Sequence, residues 1–191
     1  MSTRILALVG SLRAGSYNRQ LAEAAVKHAP DGIAVDIFDD LADVAFYNED
    51  TDRPGAVSAA DRLRADVESA DALLLVTPEY NGTLPASLKN AIDWISRPYR
   101  SGAITGKPVA VIGTSHGRYG GIWAHDDARK AARIAGARVL DDVKLSLPST
   151  ATRFATIHPA DDDEIAEAMP TILATLAAAV PNRRQLVPES R

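Results

Sequence analysis

With 191 residues, 46% of them hydrophobic, the chain has an ordinary globular composition and is long enough to bury the core of one domain. Its net charge of −4 offers no general attraction to nucleic acid or anionic lipid, and the absence of cysteine excludes disulfides and thiolate metal sites. The apolar run behind Met1 stops at Gly10, too short for a signal peptide or a membrane span, so a cytoplasmic protein is expected.

Residues 4–9 form a short, continuous apolar run, the pattern of a parallel strand buried on both faces. A loop over 10–18 leads into a helix carrying Leu21, Ala22, Ala25, Val26 and Ala29, which stops before Pro30. Residues 33–38 are rich in β-branched side chains and give a second strand. The polar stretch 39–55 reads as a long loop, a length that in a compact domain is often functional. Ala60, Leu63, Val67 and Ala70 mark a helix over 56–70, and 72–76 is the third strand.

Leu84, Leu88, Ala91, Ile92 and Ile95 fall on one face of a third helix. Thr83 suits its cap and Pro85 its first turn. Residues 108–113 give the fourth strand and 114–121 a second glycine-bearing loop. A helix with a small-residue face follows (Ala124, Ala128, Ala131, Ala132, Ala135), with Gly136 as its stop. Within 138–147 two segments, 139–140 and 143–147, compete for the fifth strand. The acids 161–164 suit the positive end of a last helix, whose pattern runs from Ile165 to Val180 with Pro170 inside it, expected to kink or divide it. The tail 181–191 is expected to be loose.

Five β-α units with no repeat and no linker call for one α/β domain over 1–191, with a doubly wound parallel sheet in the order 2-1-3-4-5. In such sheets ligands bind at the carboxyl ends of the strands. Two loops there carry chemistry. The first, residues 10–18, combines a helix start, whose N–H groups favour an anion, with Ser11, Ser16, Asn18 and the forked cation Arg13. These are the parts a phosphate monoester needs. Gly10 and Gly15 imitate the spacing of a nucleoside triphosphate loop, but Ser16-Tyr17 stands where that motif requires Lys and Ser/Thr. The dinucleotide fingerprint is absent as well, although Asp39 and Asp40 sit where a ribose-binding acid belongs. The second loop is Thr77-Pro78-Glu79-Tyr80-Asn81-Gly82, rigid and polar between the third strand and third helix.

Together, Gly10-Ser-Leu-Arg-x-Gly-Ser-x-Asn18, Thr77-Pro-Glu-Tyr-Asn81 and Pro85-x-x-Leu-Lys-Asn90-x-x-Asp-Trp94 resemble the NADPH-dependent FMN reductases, a flavodoxin-like group that includes chromate, quinone and azo-dye reductases. The resemblance covers about residues 3–180. It implies FMN as cofactor, NADPH or NADH as co-substrate, a small-molecule electron acceptor, and a homodimer or homotetramer with the flavin near a subunit interface. It places the FMN phosphate on Ser11, Arg13, Ser16 and Asn18, with Tyr17 in the same loop. The ring edge falls against Pro78, Glu79, Tyr80 and Asn81, and a third loop contributes Ser115, His116 and Gly117. Many members carry a small residue where His116 stands.

The chain has no cysteine nucleophile, no paired-histidine metal motif and no nucleophile elbow. A flavin reductase needs none of them, because the cofactor carries the chemistry; no protein catalytic residue and no metal ligand is assigned. Glu79 is expected to serve through its backbone, Arg118 through a dinucleotide phosphate or a subunit contact, Trp94 as core or dimer contact, and Lys89 and Asn90 as helix surface. His28, His125 and His158 read as structural or surface residues. The alternative within the same fold is an electron-transfer protein with no NAD(P)H oxidation of its own, although carriers usually lack the Pro-Glu-Tyr-Asn loop and are more acidic.

Overall fold

The computed structural model describes residues 2–181; of the expected loose tail, all but Pro181 lies outside them. Five parallel strands form one sheet in the order β2-β1-β3-β4-β5, as the five β-α units require. They are β1 (Thr3–Val9), β2 (Ile33–Ile37), β3 (Ala72–Val76), β4 (Pro108–Thr114) and β5 (Arg138–Leu147). The helices are α1 (Tyr17–Lys27), α2 (Ser58–Ser69), α3 (Ala86–Ile95), α4 (Ile122–Ile134), the short α5 (Thr150–Arg153) and α6 (Asp163–Ala178).

Side chains alternate across a strand, so each central strand feeds two cores. Ile5, Ala7, Val9, Leu74, Val76, Ala110 and Ile112 pack under α1 and α6. Leu6, Leu8, Leu73, Leu75, Val109 and Val111 pack under α2, α3 and α4. Burial on both faces is why β1, β3 and β4 read as unbroken apolar runs.

Both candidate segments for the fifth strand belong to it. Val139 pairs with Val109 and Lys144 with Val111, so residues 140–143 bulge opposite Ala110 alone. The bulge shifts the register between the two halves, which a period-two pattern cannot reveal. Nor is α6 divided at Pro170: it runs unbroken from Asp163 to Ala178. It buries Ile165 and Met169 before the proline and Ile172, Leu173 and Leu176 after it. At about 1.5–3 kcal/mol per buried side chain, that outweighs the roughly 3 kcal/mol an interior proline costs. The acidic start is confirmed in detail, since the Asp162 carboxylate accepts the Ile165 N–H at 3.2 Å. Arg153, bidentate on the same carboxyl, holds its pKa below the ordinary range.

The long loop after β2 is pinned to α3. Asn90, expected on the helix surface, is buried. Its amide donates to the carbonyls of Val44 (3.2 Å) and Ala45 (3.0 Å) and accepts the Tyr47 N–H (2.8 Å). Trp94 is core, its indole N–H donating to Ala45. Arg64 lies over the Trp94 ring and grips Asp52 at 2.7 and 2.9 Å. Among the described residues, no helix is long and apolar enough to cross a membrane.

Candidate flavin-binding site

At the carboxyl ends of β1, β3 and β4, three loops surround a cleft of about 230 Å³. Ten of the twelve residues singled out in the sequence line it: Ser11, Arg13, Ser16, Tyr17, Asn18, Pro78, Glu79, Tyr80, Ser115 and His116. Thr114 and Thr150 complete it. Asn81 and Gly117 are exposed and do not line it. No local signal points to Thr150, which arrives from beyond β5.

The first loop ends in the α1 N-terminus. Ser16 is its cap, accepting the Arg19 N–H at 3.3 Å. Among the described residues, the N–H groups of Gly15, Tyr17 and Asn18 have no protein acceptor, the orphan donors of a helix start. Arg13 sits over the Tyr17 ring, 5.6 Å from its centre, and donates to the Gly15 carbonyl at 2.8 Å. Asn18 behaves differently from its neighbours. It is buried, and its amide both donates to and accepts from the backbone of Thr114, at 2.9 and 3.0 Å. The side chain is therefore a brace between α1 and the end of β4, with one N–H left over.

The second loop is a two-residue hairpin. Tyr80 and Thr83 exchange backbone hydrogen bonds at 3.0 and 3.2 Å, and Asn81 and Gly82 both have positive φ, 52° and 78°. That is the turn an Asn-Gly pair forms most readily. Thr83 does not cap α3, as the sequence led one to expect. Its hydroxyl donates to Asp127 at 2.7 Å, and the cap position is Pro85, with no side-chain bond. Glu79 serves through its carboxylate as well as its backbone: it accepts the Trp123 N–H at 3.2 Å, satisfying an orphan donor of α4. The cap there is Gly121, which supplies no side chain. Two glycines let strand ends approach. A Cβ on Gly10 would stand 3.2 Å from the Thr77 hydroxyl, and one on Gly113 would stand 2.0 Å from the Thr77 carbonyl oxygen.

The third loop is stitched to the segment after β5. The Ser115 N–H donates to Leu147 (3.1 Å), and its carbonyl accepts from Thr150 (3.3 Å). The Gly117 N–H turns back to the Ser115 hydroxyl (3.3 Å), and His116 Nδ1 lies 3.3 Å from the Thr150 hydroxyl. Arg118 covers the Tyr119 ring, which in turn touches Trp123. Behind this wall His125 is fully buried, so the choice the sequence left between structure and surface falls to structure. Burial lowers its pKa to about 4; the Thr77 carbonyl opposes that drop and the Arg129 charge adds to it. The imidazole is neutral at physiological pH.

The sequence matches the profile of the NADPH-dependent FMN reductase family over residues 3–152. It is 36% identical to an NAD(P)H-dependent FMN reductase of Pseudomonas aeruginosa across 79% of this chain and 80% of that one. It is 33% identical to a 2-hydroxy-1,4-benzoquinone reductase of a Burkholderia species, across 96% of this chain and 100% of that one. Among solved structures, the flavoenzyme NAD(P)H:acceptor oxidoreductase FerB of Paracoccus denitrificans superimposes with a TM-score of 0.80. It is 30% identical and covers 93% of this chain and 97% of its own.

Proposed function

We infer what this protein does from one premise: the chain belongs to the NADPH-dependent FMN reductase family. It is an FMN-dependent NAD(P)H oxidoreductase. The observation that carries the cofactor's placement is the convergence of a phosphate-type loop and two polar loops on one cleft. The donor set fits FMN. Unpartnered N–H groups at the α1 start, with Arg13, Ser11 and Ser16, suit a phosphate dianion. The N–H groups of Glu79 and His116 have no protein acceptor among the described residues, and they suit the polar edge of a flat heteroaromatic ring.

Under this assignment Ser11, Arg13, Ser16 and Tyr17 hold the phosphate end, while Pro78, Glu79, Tyr80, Ser115 and His116 hold the ring end. Asn18 acts as the brace behind them. Asn81 and Gly117 contribute only by shaping the hairpin and the third loop. FMN held in the cleft would supply the redox chemistry between NAD(P)H and the acceptor. The chain's own part is to bind, to orient and to leave one side of the cleft open. The acceptor class is a quinone, free flavin, azo compound or metal oxyanion; the Burkholderia relative, named as a benzoquinone reductase, supports the first.

The same reading takes residues 1–191 as one flavodoxin-like unit working in the cytoplasm, where its nicotinamide donor is held, and as a homodimer or homotetramer. Support for assembly comes from the surface beside the hairpin, where Tyr80, Tyr119, Ile122 and Trp123 are 44–56% exposed, apolar surface of the kind interfaces cover. The decisive experiment mixes the purified protein with NADPH in the absence of air. Prompt bleaching of a yellow protein, reversed by a benzoquinone, is the expected result. A chain that stays colourless at saturating FMN, or a flavin that stays oxidised, overturns the reading.

A further inference from the structure

We propose that His125 is a positioning residue that sets the gap between the two loops holding the flavin ring. The proposal rests on the cofactor placement given above. The imidazole lies inside α4, one turn from its start, and is 0% exposed. Its Nε2 is 3.3 Å from the carbonyl of Thr77, and its Nδ1 is 2.9 Å from the hydroxyl of Ser146. A carbonyl only accepts, so Nε2 carries the proton and Nδ1 accepts from the serine hydroxyl. One neutral tautomer satisfies every group present.

The two partners are not arbitrary places in the fold. Thr77 directly precedes Pro78, where the hairpin loop begins. Ser146 directly precedes Leu147, whose carbonyl takes both the Ser115 N–H (3.1 Å) and the Thr114 hydroxyl (2.8 Å). The ring is thus a strut between the two strand ends behind the cleft, one leading into the hairpin loop and the other anchoring the third loop. The surroundings are cut to its size: a Cβ on Gly113 would stand 2.6 Å from Nε2, and a Cβ on Gly121 3.2 Å from it. Two further contacts run from the same helix to the same hairpin, Trp123 N–H to Glu79 and Asp127 to Thr83. Both are exposed and reach one wall only. Among the described residues, the His125 side chain is the one on α4 that bonds both to the exit of β3 and to β5.

A polar core residue with no such role would cost stability when removed and leave the bound flavin as it was. The test therefore compares two amides. Glutamine extends its amide about as far as Nε2 and can still donate to Thr77. Asparagine reaches only as far as Nδ1 and loses that bond. We expect His125→Asn, checked for native circular dichroism, to weaken FMN binding about tenfold, the factor for one hydrogen bond from the hairpin to the ring lost when the released loop shifts. Its visible flavin bands should move as well. His125→Gln should stay within about threefold of the parent with its bands unmoved. Should the asparagine chain fail to fold, His125→Met, which keeps the bulk but donates nothing to Thr77, must shift the bands instead. Equal affinities and equal spectra across the folded variants and the parent overturn the proposal. Arg13→Ala separates this from failure of the site itself: if that change also leaves FMN affinity untouched, the cofactor placement is wrong. If it weakens binding while the position-125 series is flat, only the strut is lost.

Discussion

Arg13 and Ser16 stand three residues apart in one loop, yet their loss should be felt differently. Arg13 is exposed, and its protein contacts are the Gly15 carbonyl and the face of the Tyr17 ring. Arg13→Ala should leave thermal stability within about 0.5 kcal/mol and weaken FMN binding by roughly 1.5–3 kcal/mol, the worth of a charge-assisted bond. Ser16 is also the α1 cap, so Ser16→Ala should cost about 1 kcal/mol of folding stability in the flavin-free protein as well. Flavin titration and a thermal melt of each variant separate the two effects. Gly113→Ala is the harsher change, since the new methyl would sit 2.0 Å from a backbone oxygen. It should cost at least the roughly 1–3 kcal/mol of overpacking and displace the hairpin, read as a lowered melting temperature with loss of colour.

The buried imidazole also has a pH signature. Its folded pKa, about 4, lies below the unfolded value of 6.5. Between these values the unfolded chain binds more protons, so stability rises with pH. The contribution is complete above about pH 6.5 and is lost as pH falls through 4, to the extent of roughly 3 kcal/mol. Urea unfolding between pH 7 and 4 should show this loss, and His125→Gln should flatten it. Below pH 4 the carboxyls of Asp52 and Asp162, both held down by arginine partners, add their own loss.

At the scale of elements, α3 is the post to which the long loop is tied. Asn90→Ala would strand the Tyr47 N–H and the Val44 carbonyl, and would leave the Ala45 carbonyl with the Trp94 indole alone. Each buried polar group left without a partner costs about 1–3 kcal/mol. The expected result is a lowered urea midpoint with an unchanged FMN content, because this tie lies outside the 230 Å³ cleft. A similar substitution at Lys89, whose ion pair with Asp93 is an exposed helix pair, should change stability by about 0.5 kcal/mol or less.

For the whole molecule, the question is what covers the exposed aromatic surface beside the hairpin. The Tyr119 and Trp123 ring centres lie 5.8 Å apart, and a Cβ on Gly82 of the hairpin would stand 4.0 Å from the Trp123 ring. If a second copy packs here, Trp123→Glu buries a charge at the contact. Light scattering should then show the mass falling to that of one chain, while the flavin stays bound. A monomeric parent protein would refute the assembly outright.

The strands, the helices and their order were legible in the residues alone. So were the positions of the loops after the first and third strands, because periodicity and turn residues act over a few neighbouring positions; that Asn81-Gly82 closes a tight hairpin was not read from them. What each polar side chain of the site does was not legible. Asn18 meets a partner 96 residues away, Glu79 and Thr83 partners 44 away, Asn90 one 43 away and His125 one 48 away. Those distances in sequence are set by the crossover order of the sheet. Only when β1, β3, β4 and β5 lie side by side does a histidine in the fourth helix reach the exit of the third strand.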